Sequence, residues 1–107
     1  MENERRKDIR VKKTLYVQCF NQERNIWDMV SIRDISESGI CINSDYIFIK
    51  DTILTLRLKL AYVSPVPLEI NSKVIESKKF ITRVQFIDLN EQQRKTIKDY
   101  ITLFANK

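Results

Sequence analysis

Two short clusters hold most of the side chains able to recognise a ligand. The first is Arg5-Arg6-Lys7-Asp8-Ile9-Arg10 near the N-terminus. Arg6 and Arg10 are four apart, a spacing that puts both on one face whether the segment is extended or helical. A guanidinium is a rigid fork of donors that matches phosphate oxygens or the O6/N7 edge of guanine. Its plane can also stack on a purine. Lysine would bring charge to these positions without the fork or the plane. The second cluster is Asp34-Ile35-Ser36-Glu37-Ser38-Gly39, the best turn signal in a chain with a single glycine. In an extended segment Asp34 and Ser36 point the same way, and Gly39 supplies backbone freedom where the chain reverses. Ionised Asp34 only accepts hydrogen bonds, while Ser36 donates or accepts. Together the clusters read as an anion-and-base clamp. Each alone has a plainer reading: a solvated charge run for the first, and a turn that satisfies its own backbone for the second.

The elements that must position these residues are mostly strands. Thr14–Phe20 alternates, with Leu15, Val17 and Cys19 on one face and Tyr16, Gln18 and Phe20 on the other. Residues 21–25 are a polar turn. Ile26–Ile35 is a second strand that delivers Asp34, and Ile40–Ser44 returns antiparallel after Gly39. Asp45–Asp51 reads as a connecting loop that tucks Ile47 and Ile49 inward. Thr52–Tyr62 is the clearest strand, with Leu54, Leu56, Leu58 and Leu60 alternating against Thr55, Arg57, Lys59 and Ala61. Pro65 and Pro67 break the pattern and mark a turn or edge. Leu68–Ser77 and Phe80–Ile87 are two more strands around a Lys78-Lys79 turn. A helix follows over about 90–106, with Asn90 as N-cap and Gln93 where a capping box wants an amide. Its stripe of Ile97, Tyr100, Ile101 and Phe104 fits packing over one end of a barrel, with partner docking as the alternative. Six strands and one helix predict a small barrel or curled antiparallel sheet. Residues 1–13 read as a flexible basic arm, and residues 14–107 as the folded domain.

Bulk composition narrows the function. A chain of 107 residues that is 43% hydrophobic forms one folded domain. It has no long apolar run for a membrane span and no apolar leader. Cys19 and Cys41 both fall inside predicted strands, as reduced core thiols of a cytosolic protein do, with a disulfide or metal pair as the alternative. Histidine is absent, which removes the commonest general base and metal ligand. No nucleophile-with-base pattern, metal-ligand spacing or phosphate-cradling glycine loop is present, so an enzyme is the least favoured class. The net charge of +5 favours anionic partners.

RRKDIR followed about two dozen residues later by DISESG resembles the two-part pattern RxxxR and [DN]xSxxG of the PilZ domain. Val84-Gln85-Phe86-Ile87-Asp88-Leu89 before a polar helix resembles that family's closing strand and helix start. The resemblance implies a six-stranded antiparallel β-barrel with a C-terminal helix, in a bacterial cytoplasmic receptor for cyclic di-GMP. It assigns ligand contact to Arg6 and Arg10 of the first motif and to Asp34, Ser36 and Gly39 of the second, with Arg5 as an extra contact. The chain departs from the pattern at Ile40 and Arg83, where many members carry glycine; Arg83 either reaches the ligand or crowds it. Guanine's N1–H and N2–H₂ edge is donor-only and complements Asp34, leaving the arginines for phosphate and the Hoogsteen edge. By this reading the chain needs no cofactor. It relays second-messenger level to an effector protein when the arm orders. Two rivals stand beside it. One is a ligand-independent adaptor, which intact motifs disfavour. The other is a basic nucleic-acid-binding barrel, disfavoured by dispersed charge and the lack of a base-stacking motif.

Overall fold

The structure, a computed structural model, describes residues 9–21 and 24–105. The arm residues Arg5 and Arg6 lie outside them. Six strands run β1 Val11–Asn21, β2 Ile26–Ile35, β3 Gly39–Ser44, β4 Ile53–Leu58, β5 Leu68–Lys78 and β6 Phe80–Ile87, followed by helix α1 Glu91–Ala105. They close into an antiparallel barrel in the order β1-β2-β3-β6-β5-β4, sealed by β4 against β1 through pairs such as Cys19 with Leu56. Closure gives every strand two neighbours, although β4 meets β1 only over Gln18–Asn21, which suits a barrel built from short alternating segments.

The alternation read from sequence sets the inside and outside. Leu54, Leu56 and Leu58 of β4 are fully buried, as are Ile40 and Ile42 of β3. Val17 and Cys19 line the interior from β1, while Tyr16 points to solvent. The strand predicted over Thr52–Tyr62 is shorter, because the ladder stops at Leu58 and the backbone turns. Ser64 donates to the Leu60 carbonyl at 3.1 Å, and Tyr62 takes φ 79°. Leu60 is still completely buried. The first strand begins earlier than Thr14: Val11 is buried and pairs with Ile35.

The loop between β3 and β4 overturns one expectation. Ile47 and Ile49 are 58% and 74% exposed, and Phe48 between them packs on the core. Phe48 N–H donates to Ser77 Oγ at 2.9 Å, and its ring meets Tyr46 edge-on at 4.7 Å. Residues on either side of Phe48 must face the other way. The wide aromatic fills the barrel end, and the isoleucines are left in solvent.

Helix α1 starts as predicted. Asn90 Oδ1 accepts from Gln93 N–H at 2.7 Å, and Gln93 Oε1 accepts from Asn90 N–H at 3.1 Å, the reciprocal capping box. Gln93 Nε2 also donates to the Glu69 carbonyl at 2.9 Å, pinning the first turn to the start of β5. Ile97, Tyr100 and Ile101 join the barrel core, and Phe104 packs on Tyr100 at 4.7 Å.

Candidate functional site

The barrel brings Arg10 and Asp34 together across 24 residues of sequence. Strand β1 enters the sheet immediately after Arg10, and β2 leaves it immediately after Asp34-Ile35. The pair Val11–Ile35 therefore fixes the two side chains at the same end of the barrel. Arg10 Nε donates to Asp34 Oδ1 at 2.7 Å, and Arg10 Nη1 donates to Ser36 Oγ at 3.0 Å. The ion pair is partly open, with side-chain exposures of 32% for Arg10 and 20% for Asp34. Solvent screens it, but the guanidinium is held at two points.

A bulge aims Asp34. Between the pairs Ile32–Ile42 and Asp34–Cys41, β2 has one residue more than β3. The extra residue is Arg33. It lets Ile32 and Ile35, three apart, both be buried, while Arg33 and Asp34 stay outside. Nothing in the hydrophobic alternation of β2 marks this position except the odd spacing of its two core isoleucines.

Ser36 is fully buried and organises the turn. Its Oγ accepts from Ser38 N–H and from Gly39 N–H, both at 3.3 Å. Ser36 N–H donates to the Gly39 carbonyl at 2.9 Å, closing the turn. Such a hydroxyl, tied to its own backbone, is the local serine-turn chemistry. Here it also accepts from Arg10, so the turn and the arm share one oxygen.

Gly39 does not act as expected. Its φ is not positive, so the reversal makes no use of glycine's left-handed freedom. The requirement is steric. A Cβ at Gly39 would lie 2.1 Å from the Val84 carbonyl oxygen of β6. The turn packs directly on the neighbouring strand, and Phe86 N–H reaches the Ser38 carbonyl at 2.8 Å.

The register extends the site sideways. Asp34 pairs with Cys41, and Cys41 pairs with Arg83 on β6. Paired residues share a face, so these three lie in a row on the outer wall. Arg83 is exposed. Cys41, flanked by charged side chains, is nonetheless only 5% exposed. Burial raises its thiol pKa above the ordinary value, Asp34 adds to the rise, and Arg33, Arg83 and Arg10 oppose it. Sequence reasoning treated Cys41 as core. The signal that it faces outward was present: it alternates with the buried pair Ile40 and Ile42. On the other side of the turn, Glu37 shares a cleft with Glu91, Arg94, Lys95 and Lys98 of α1, a mixed-charge border in which Lys95 is already paired with Asp99.

The PilZ domain family model matches residues 4–103. Among solved structures, the chain is similar to the PilZ domain of CeSA from a cellulose-synthesizing bacterium, at 17% identity and TM-score 0.67 over 91% of this chain and 95% of that one. It is similar to the PilZ domain of YcgR from Escherichia coli with c-di-GMP, at 10% identity and TM-score 0.70 over 95% and 92%. It also resembles the Bacillus subtilis inhibitor of motility MotI/DgrA, at 18% identity and TM-score 0.70, covering 95% of this chain but 52% of that longer one. At these identities the structures establish a shared fold. No curated protein matches the sequence.

Proposed function

The chain belongs to the PilZ domain family, and from that premise we propose that it is a cytoplasmic, non-catalytic receptor for cyclic di-GMP that reports to an effector protein. The observation that carries this reading is the union of the two motif halves: Arg10 on Asp34 and Ser36, within hydrogen-bond distance of both. Similar folds include the YcgR domain, whose structure is with c-di-GMP, and MrkH from K. pneumonia, whose structure is a complex with it.

Asp34 accepts from the N1–H and N2–H₂ edge of one guanine. Arg10 now donates to one Asp34 oxygen. On binding it turns to a phosphate or to the Hoogsteen edge, where its fork makes paired bonds. Ser36 and Gly39, both buried, act by holding the loop at the right height rather than by reaching outward. Arg83 lies two strands from Asp34, roughly 10 Å away at ordinary strand spacing, within the span of a dinucleotide. Arg5 and Arg6 complete the clamp from the arm, and ordering of that arm over the ligand creates the surface read by the effector.

Calorimetric titration of the full chain with cyclic di-GMP tests the reading. Binding is expected in the micromolar range, roughly 8 kcal/mol. Asp34→Asn and Arg10→Ala each weaken it at least tenfold, by about 1.5–3 kcal/mol. Cyclic di-AMP, which lacks the donor edge that Asp34 matches, binds poorly. Equal binding of the two cyclic dinucleotides, or none of cyclic di-GMP, refutes it.

A further inference from the structure

The bulge in β2 that aims Asp34 also releases an arginine. Arg33 and Asp34 both stand opposite Cys41, and both lie on the outer wall of the barrel. Cys41 pairs in turn with Arg83 of β6, so Arg33 and Arg83 flank this one small side chain from opposite sides. Paired neighbours have Cβ atoms about 4.5–5.5 Å apart, which brings two long guanidinium side chains within reach of a common anion. Cys41 is 5% exposed and forms the floor between them. Given the cyclic di-GMP reading, on which this inference rests, we propose that Arg33 and Arg83 form a second phosphate seat over Cys41. It takes the ligand phosphate that lies away from Arg10 and Asp34. Arg33 belongs to neither half of the two-part motif, and the seat gives it a role.

Neither guanidinium is committed elsewhere. The side chains of Arg33 and Arg83 make no hydrogen bond, ion pair or ring contact with any described residue. Arg10, Arg24 and Arg57 all do. The nearby carboxylates are engaged with other cations. Asp34 holds Arg10 at 2.7 Å. Glu76, which pairs with Arg83 in the β5–β6 register, holds Lys78 at 3.1 Å. Lys12 stands opposite Asp34 on β1 and adds a further positive charge to the same row. The wall therefore carries a surplus of cations, and an occupant with more than one negative charge complements it. Arg33, Arg83 and Arg10 all oppose the rise in the Cys41 thiol pKa, so their fields meet at that point of the wall. Two cations held this close repel each other, and an anion between them replaces repulsion with attraction. A phosphate also offers oxygens to both forks, which suits arginine better than lysine. A cyclic dinucleotide fills both seats with its two phosphates, whereas a mononucleotide fills one.

Calorimetry and phosphorus NMR of the full chain with cyclic di-GMP test the seat. Arg33→Ala and Arg83→Ala each weaken binding at least about tenfold. Lys50→Ala, an equal loss of charge on the exposed loop at the other end of the barrel, leaves binding unchanged. Both arginines are exposed, and unchanged melting establishes that their variants fold. The two phosphates of the free ligand are equivalent by symmetry and share one resonance. At saturation they separate on the parent chain, and in Arg33→Ala with Arg83→Ala one of them returns towards its free position while the other stays. Arginine variants that bind like the parent overturn the seat and leave the cyclic di-GMP reading standing. So does a matching loss for Lys50→Ala, which would make the effect one of net charge, or a return of both resonances together. A parent chain that binds no cyclic di-GMP overturns the reading and the seat with it.

Discussion

Replacing Gly39 with alanine tests the steric account of the turn. The new methyl would be placed 2.1 Å from the Val84 carbonyl oxygen and 3.1 Å from Gln85 Cα, against an ordinary contact distance of about 3.4 Å. Both obstacles are backbone, so no rotamer change relieves them. Strand β3 and the turn must lift from β6 by more than an ångström. That stretches the Phe86 N–H to Ser38 carbonyl bond of 2.8 Å and the Gly39–Gln85 pairing. Two weakened backbone bonds at about 1 kcal/mol each, plus overpacking of about 1–3 kcal/mol, give a loss of roughly 3–5 kcal/mol. A domain of ordinary stability survives this but melts visibly lower. Urea unfolding with an unchanged slope reads the loss directly. The same lift displaces the Gly39 N–H and carbonyl that hold Ser36, so cyclic di-GMP binding weakens in the variant even where it is fully folded. A Gly39→Ala chain within about 0.5 kcal/mol of the parent would refute the close approach.

Arg10→Lys keeps the charge and discards the fork: its cyclic di-GMP affinity falls about tenfold by calorimetry, while apo stability moves by less than about 1 kcal/mol because the Asp34 pair is partly exposed. Asn90→Ala removes the 2.7 Å cap on Gln93 N–H and lowers stability by about 1 kcal/mol in chemical denaturation, and Asn90→Ser restores it; equal loss for both would refute the cap. Alkaline pH destabilises the fold through buried acids: burial, with Asp28 adding, pushes the Cys19 thiol up to about 12, and burial also raises Tyr100. The folded chain keeps protons that the unfolded chain releases, so this stability is complete below the ordinary thiol pKa of 9.0 and declines as pH rises above it. Between pH 9 and about 10.5 Cys19 alone accounts for about 2 kcal/mol. Thermal melts of Cys19→Ala should show a shallower alkaline decline than the parent, and parallel declines would refute the assignment.

What could be read from the sequence was what is local. Period-two alternation in Leu54–Leu60 announced a buried strand face, because successive side chains of a strand must oppose each other. The capping residues Asn90 and Gln93 announced the helix, because they answer backbone donors only three positions away. The two motif halves were visible as residue types, and their order carried the family resemblance. Tertiary structure decided how those pieces meet. Arg10 reaches Asp34 because β1 and β2 pair in the register Val11–Ile35, a choice made by packing summed over the whole barrel. The bulge at Arg33 turns Asp34 outward, and Gly39 is required by a strand that its own neighbours in sequence do not reveal. Alternation in the Tyr46–Ile49 loop was equally visible, but not its parity. Which half goes inward depends on the space at the barrel end. Phe48 filled that space, leaving Ile47 and Ile49 in water.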